Sequence, residues 1–531
     1  MMSRDAAAGA LREEVHYDGR RMLCYADRPA SLLAMFDDLV ARFPDRPAVV
    51  EEATLSWRNL DHLARAVGAN LSALGIKPGD RVALYLGNAW EFLAVLFACI
   101  RIGAIVVPIG TRQRHSELEF MLNDSGAKVL IHEPDLAEFI PTPTEVPGVA
   151  HRFAIRAAAP GARPFDDLLR QGGACPAHRP QEEDVAIILY TSGTTGRPKG
   201  AQLTHLGIVH SALAFSDAFE LTEQDRAFVA VPLSHVTGLV GVALAVMIRG
   251  GAVVLMRQAF KAQDFIAQAA REKITFTIVV PAIYSLVAMS PALDAHDLSA
   301  WRIGAFGGAP MPVPTIQALA QKLPHLNLLN AYGATETTSP TTIMPLGAWR
   351  ENIDSVGRCV PCGVIRIVDD EGRDVAAGEP GEIWIAGPMV VPGYLNRPDA
   401  NASEFVDGFW KSGDIGSRDA QGFVRVFDRK KDMINRGGFK IFSAEVESVI
   451  AGIPGVVECA IVGKPDPVLT ERVCAIVVVE EGASLQPEDV RAWCAARVLD
   501  YKTPEFVTVR TEPLPRNANG KILKPQLRQQ V

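Results

Sequence analysis

The sequence predicts an α/β protein: a large N-terminal domain of two doubly wound α/β lobes plus a β-rich subdomain, followed by a small α+β C-terminal domain. Three observations carry the prediction. Helical and strand patterns alternate through the first 330 or so residues, the signature of parallel strands flanked by helices on both faces. From about Val364 the texture changes to short strands separated by Gly and Asp turns. After the highly charged stretch Asp428–Asp432, a new helix-and-strand pattern begins.

Trp57 to Leu74 reads as a helix, with apolar residues at Leu60, Leu63, Val67, Leu71 and Leu74, close to the 3.6-residue period. Asp80 to Leu86 reads as a strand, Ala89 to Ile102 as a helix, Ala104 to Pro108 as a strand and Val129 to Ile131 as another. Val185 to Leu189 is an apolar run suited to a buried strand, and Thr204 to Phe219 a helix. The alternation returns at Asp264–Lys273 (helix), Thr275–Val280 (strand), Met311–Lys322 (helix) and Asn327–Asn330 (strand). Val364–Val368, Glu382–Ala386 and Phe423–Phe427 are the short strands of the β-rich part. In the last part Ala444 to Ile450 and Pro487 to Val498 read as helices, and Val456–Val462, Val473–Val479 and Phe506–Val509 as strands. The expected division is residues 1–427, a connector at 428–431 and a domain of 432–531.

At 531 residues the chain exceeds one core of ordinary size. Its 48% hydrophobic and 21% charged content fits a soluble globular enzyme. A net charge of −8 gives no general attraction for nucleic acid or anionic lipid, so an anionic ligand needs local donors. The eight cysteines are scattered, and Cys359-Val-Pro-Cys362 lacks a second ligand pair for zinc. Reduced structural thiols in a reducing compartment are expected. The apolar stretches Phe92–Ile109 and Leu239–Met256 are interrupted by Arg and Gly. Each reads as a buried helix, a glycine turn and a buried strand, not as an integral membrane segment. The first residues carry no apolar signal core and the last no peroxisomal address, so a cytoplasmic location is expected.

Tyr190-Thr-Ser-Gly-Thr-Thr-Gly-Arg-Pro-Lys-Gly200 is the most informative segment. Placed between a strand and a helix, a glycine-rich loop lets backbone N–H groups approach phosphate oxygens. Thr191, Ser192, Thr194 and Thr195 add hydroxyls around Gly193, and Lys199 adds a cation. A Walker A loop needs Gly before the Lys and Ser or Thr after it; here Pro198 and Gly200 stand there.

This segment resembles the signature of adenylate-forming enzymes, the superfamily of acyl-CoA synthetases, luciferase and peptide-synthetase adenylation domains. Four further motifs resemble that family in order: Tyr332-Gly-Ala-Thr-Glu336, Ser412-Gly-Asp414, Asp428-Arg-Lys-Lys-Asp432 with Gly437-Gly438, and Pro515-Arg-Asn-Ala-Asn-Gly-Lys521. The resemblance covers the chain from about residue 30 to its end and points to the acyl-CoA synthetase branch. It implies two half-reactions. A carboxylate attacks the α-phosphate of ATP, giving an acyl-adenylate and pyrophosphate; coenzyme A then attacks the acyl carbon and releases AMP. Two unit charges about 4 Å apart repel by roughly 4 kcal/mol at an effective dielectric near 20, so cations and oriented dipoles are needed.

By resemblance, Lys521 bridges carboxylate and α-phosphate, Glu336 is the ligand for Mg²⁺ and Thr335 bonds the α-phosphate. Tyr332 offers a ring to adenine, while Asp414 and Arg429 reach the ribose. Gly308 and Ala309, within Gly307-Gly-Ala-Pro310, floor the acyl pocket and touch adenine. His235 occupies a gate beside the reacting carboxylate; Ser234 departs from the aromatic frequent there. Lys431 is the hinge about which a mobile C-terminal domain turns, and Gly437 and Gly438 line the thiol's path. The implied partners are a small-molecule carboxylic acid, ATP and CoA, with neither nucleic acid nor membrane; a homodimer is compatible. The acid is expected to be a fatty or other apolar one. The alternatives are an aromatic acid–CoA ligase and a stand-alone enzyme loading a carrier protein. An amino-acid-loading domain would place an acidic residue near His235, and no Asp lies between Val229 and Val246. An oxygenase has no support beyond shared ancestry. A non-catalytic nucleotide binder sits poorly with Lys521, Glu336 and Lys199 all present.

Overall fold

The apolar stretch after Ala89 folds as helix Trp90–Ile102, buried on nearly every side and closed by Gly103 in the left-handed region at φ 76°. The chain then turns straight into strand Ile105–Pro108. Repetition of this unit builds the first part of the molecule, described in a computed structural model for residues 10–17, 19–170, 173–191, 197–309, 311–480, 482–516 and 522–531. Two compact units divide the chain. One runs to Ile365 and includes Ile385–Trp410; the other joins Arg366–Trp384 to Lys411–Val531. Residues 428–431 fall inside the second unit.

Besides the hairpin of Leu11–His16 and Arg20–Tyr25, the first unit holds two larger sheets among the described residues. One has the strand order Lys199–Thr204, Val185–Thr191, Ile105–Pro108, Arg81–Tyr85, Ala127–His132, His151–Ala154, Arg163–Pro164. All neighbours in it are parallel except the first pair. The other has a parallel run of Pro47–Val50, Ala252–Leu255, Arg226–Val229, Phe276–Val279, Ile303–Phe306 and Asn327–Ala334. Antiparallel strands Ser339–Ile343 and Gly357–Cys359 extend it. These are the two α/β lobes that the alternation predicts.

One element differs from expectation. The glycine-rich loop leads not into a helix but into strand Lys199–Thr204, antiparallel to Val185–Thr191, and only then into helix His205–Ala218. Pro198 disfavours helix in the residue before it, and the segment's buried Ala201 and Leu203 fit a pleated strand. Gly200 pairs with Tyr190, and a Cβ there would meet the Tyr190 ring at 3.2 Å. Thr204 then caps the helix by accepting from the Gly207 N–H. The helix of Leu239–Met256 also differs: Thr237–Leu244 is wound as a π-helix before the Gly250-Gly251 turn and strand Ala252–Leu255. No helix among the described residues is long and apolar enough to cross a membrane.

The short strands Val364–Val368, Gly381–Ala386, Phe409–Arg418 and Phe423–Arg429 lie side by side in that order, with most of their residues in the second unit. Its last part is a five-stranded sheet in which Thr470–Val479 is flanked by Val456–Asp466 (antiparallel) and Phe506–Arg510 (parallel). Helices Ser443–Ile450 and Pro487–Ala495 cover one face through Val446, Ile450, Val490 and Cys494. Leu514 and Leu527 cover the other. This is the α+β arrangement expected. Cys24, Cys99, Cys474 and Cys494 are buried thiols packed as apolar side chains.

Candidate active site

Parallel α/β sheets gather ligand-binding loops at the carboxyl ends of their strands, and the candidate residues of the first unit lie there. Thr191 ends one strand and Lys199 opens the next, directly opposite in register. Ser192, Gly193, Thr194 and Thr195 lie outside the described residues. The loop bearing His235 follows strand Arg226–Val229, and Gly307 to Ala309 follow Ile303–Phe306.

Strand Asn327–Ala334 carries Tyr332 to the same edge. A Cβ on Gly333 would lie 1.7 Å from the Ser339 carbonyl, so only glycine lets the strand fold back so tightly. Thr335–Thr337 forms a 3₁₀ turn in which the Thr337 hydroxyl accepts from the Ala334 N–H at 3.0 Å. Thr338 and Ser339 follow at φ 50° and 94°. Strained backbone at non-glycine residues persists where surrounding contacts over-determine it. Here the turn fixes Glu336, whose side chain is buried.

The structure brings Thr191, Lys199 and Glu336 into one polar network and adds two residues that the motifs do not include. Tyr394 directs its hydroxyl to Glu336 Oε1 at 3.0 Å and Glu404 Oε2 at 2.9 Å. Lys199 Nζ bonds Glu404 Oε1 at 2.6 Å and sits 4.4 Å from the centre of the Tyr394 ring. The Thr191 hydroxyl lies 3.4 Å from Glu336 Oε1. Burial, then the Glu336 and Glu404 charges, push the Tyr394 phenol far above its ordinary range, so it stays protonated. Tyr394 is held by its backbone. Leu395 N donates to the Gly200 carbonyl at 2.8 Å, and the Asn401 side chain brackets Tyr394 N and O at 2.7 and 2.9 Å. The only local sign of this residue is a lone aromatic in the turn-rich run Val391-Pro-Gly-Tyr-Leu-Asn-Arg-Pro398.

Asn88 is a second residue the motifs omit. Buried where strand Arg81–Tyr85 ends, it accepts from Leu233 N at 2.9 Å and donates to the Val229, Val231 and Met256 carbonyls at 3.0, 3.2 and 3.2 Å. It thus ties one sheet to the loop bearing His235. That loop turns at Gly238, where a Cβ would lie 2.3 Å from the Pro232 carbonyl, and continues as the π-helix. Single-turn π-helical segments recur at functional sites. Gly308 has φ 80° and open space around a would-be Cβ, and Ala309 is exposed.

In the second unit Asp414 and Arg429 face each other across adjacent strands, with Arg429 Nε 2.8 Å from Asp414 Oδ1. Gly437 and Gly438, at φ 58° and 91°, make the two-residue turn between Ile434–Arg436 and Phe439–Ile441. Exposed Lys431 follows strand Phe423–Arg429; its carbonyl accepts from Arg528 at 2.9 Å. Lys521 lies outside the described residues.

The Glu336 network fits a hard divalent cation such as Mg²⁺. Its donors are oxygens only, and one phenolic proton serves two carboxylates, leaving acceptor capacity over. Residues 36–395 match the AMP-binding enzyme family, and residues 445–521 match the AMP-binding enzyme C-terminal domain. The chain is 37% identical over 476 residues to a feruloyl-CoA synthase of an Amycolatopsis species, covering 89% of this chain and 93% of that one. It is 34% identical over 494 residues to long-chain-fatty-acid–CoA ligase FadD13 of Mycobacterium tuberculosis, covering 92% and 96%. The o-succinylbenzoate CoA synthetase of Bacillus subtilis, solved with ATP and a magnesium ion, superposes with a TM-score of 0.83 at 29% identity, covering 93% and 98%. The chain belongs to the AMP-binding enzyme family.

Proposed function

We propose that the chain is an ATP-dependent acid–CoA ligase that forms an acyl-adenylate and then an acyl-CoA thioester, acting on an apolar carboxylic acid in the cytoplasm. Family membership supports the reaction class. The observation that carries the nucleotide site is the meeting of Lys199 and Glu336 through Tyr394. Relatives named for fatty-acid, feruloyl and indoleacetate substrates all act on largely apolar acids, which supports that class here.

In this reading Lys199 and Thr191, with the loop of Ser192, Gly193, Thr194 and Thr195, hold the polyphosphate. Glu336 holds the cation, which when bound offsets phosphate charge. Tyr332 lies along adenine and Thr335 orients the α-phosphate. Asp414, an acceptor-only group, takes the ribose hydroxyls, and Arg429 turns from Asp414 toward the same sugar. His235, braced by Asn88, and the Gly308–Ala309 loop bound the acyl group. Lys521 neutralises the approach of the acid's carboxylate to the α-phosphorus. The carboxylate oxygen forms the new P–O bond as pyrophosphate leaves with the old one. Rotation about Lys431 then exchanges Lys521 for the Gly437-Gly438 turn, and the thiol sulfur forms the C–S bond as AMP departs.

A panel of fatty and aromatic acids assayed for pyrophosphate exchange and for CoA-dependent AMP release tests the reading. Exchange driven by apolar acids without CoA, and AMP release only with it, is the expected outcome. Phosphopantetheinyl carrier protein serving as acceptor where CoA does not would overturn CoA as the thiol.

A further inference from the structure

Lys199 is already engaged within the protein: its ammonium lies 2.6 Å from Glu404 and over the Tyr394 ring. A phosphate drawing Lys199 away therefore uncovers the Glu404 carboxylate, which is half-buried. The neighbouring donor is the Tyr394 hydroxyl, 2.9 Å from Glu404 and 3.0 Å from Glu336. It has one proton and two carboxyl claimants, so it satisfies one at a time. The Tyr394 backbone is clamped by Asn401 and by Gly200, so the phenol changes its hydrogen-bond partner without moving its ring.

We propose that Glu404 and Tyr394 form a relay that trades Lys199 for nucleotide: Glu404 holds Lys199 in reserve, and the Tyr394 hydroxyl swings from Glu336 to Glu404 when phosphate takes the lysine. The swing frees Glu336 Oε1 of the phenol, with the Thr191 hydroxyl still 3.4 Å away, when a cation is needed there. No covalent bond changes, and the proton stays on the phenolic oxygen throughout. Tyr394 and Glu404 are thus positioning residues, and the inference rests on the nucleotide-site reading given above.

The relay makes predictions of opposite sign for two adjacent side chains. Binding of a fluorescent N-methylanthraniloyl-ATP to the full chain in EDTA reads phosphate seating without any cation. Glu404→Gln removes the charge that competes for Lys199 and should tighten binding about 3- to 10-fold, the scale of one charged hydrogen bond in a partly exposed site. Tyr394→Phe removes the relief donor, so Glu404 keeps Lys199 more firmly and binding should weaken by about the same factor. The double variant should match Glu404→Gln, because the phenol has no charge left to relieve. General damage to the site would weaken all three, and calorimetric melting separates that from the relay. A wild-type chain that binds the nucleotide neither in EDTA nor with Mg²⁺ overturns the function reading and this inference with it, and one that binds only with Mg²⁺ overturns the relay alone. A wild type that binds, with Glu404→Gln no tighter or Tyr394→Phe no weaker, overturns the relay alone.

Discussion

The two units hold their charged candidates in different ways. In the first, Lys199 has a side chain only 12% exposed and its partner Glu404 one 32% exposed, and both belong to a network clamped by backbone hydrogen bonds. In the second, Asp414 is buried but Arg429 is 45% exposed, and the two form an ion pair across adjacent strands. Arg429 also donates to the Ser412 carbonyl at 3.2 Å, and its guanidinium stands partly in solvent. Lys431 stands exposed two residues beyond. On the proposed reading, the first unit is the preorganised part and the second carries the groups that rearrange between two half-reactions.

The largest effect expected concerns Lys521. If the cradle of the first unit holds nucleotide but does not by itself bring a carboxylate to it, Lys521→Ala should slow adenylation by about 10²–10³-fold, the scale of one electrostatic stabiliser. Thioester formation from supplied acyl-adenylate should be spared. Equal losses in both half-reactions would erase the division of labour. Next comes Lys431→Pro, which restricts φ at the proposed hinge. It should slow the thiol half-reaction at least about 10-fold relative to pyrophosphate exchange, as conformational steps gate many such cycles. Should the ratio of the two rates stay put, the chain beyond residue 431 does not turn there.

The smallest expected effect is on stability and belongs to the rigid side of the comparison. Burial pushes the His205 and His210 imidazoles down to about 4. Their bonds agree: Leu32 N donates to His205 Nδ1 at 3.3 Å and Tyr25 N to His210 Nε2 at 3.2 Å, so both rings are needed neutral. The unfolded chain takes up these protons first, near 6.5. Stability is therefore present above that value and lost as pH falls toward 4, by on the order of 1–3 kcal/mol for each ring. Urea midpoints should drop between pH 7 and pH 5, and a flat profile would remove both histidines from the account.

What the sequence made legible was local. Thr191, Lys199 and Glu336 sit in short motifs whose residue types state their chemistry, and the structure joins the three in one network. Asp414 and Arg429, separated by a strand turn, face each other across adjacent strands. Tyr394 and Glu404 were not legible, because their role comes from a backbone bridge between Tyr394 and Ala201, nearly two hundred positions away in sequence. Asn88 is one polar residue in an apolar region, and only the meeting of two sheets gives it four partners. The strand Lys199–Thr204 was hidden because a glycine-rich loop entering a helix is the commoner pattern, whereas pairing with Val185–Thr191 decides the local conformation. Gly308 shows a subtler limit. A would-be Cβ there meets open space, but φ 80° means that any side chain strains the backbone whatever the room. A bulky substitution at Gly308 therefore does not isolate pocket volume; Ala309, which already carries a Cβ, is the cleaner position.

The most direct test of the central claim follows one oxygen atom. If the acid's carboxylate attacks the α-phosphorus of ATP and the thiol then attacks the acyl carbon, the attacking oxygen must leave with AMP. An ¹⁸O-labelled carboxylic acid turned over with ATP and CoA should give AMP carrying one labelled oxygen and unlabelled pyrophosphate, read by mass spectrometry. Unlabelled AMP, or label in pyrophosphate or inorganic phosphate, would contradict an adenylate intermediate.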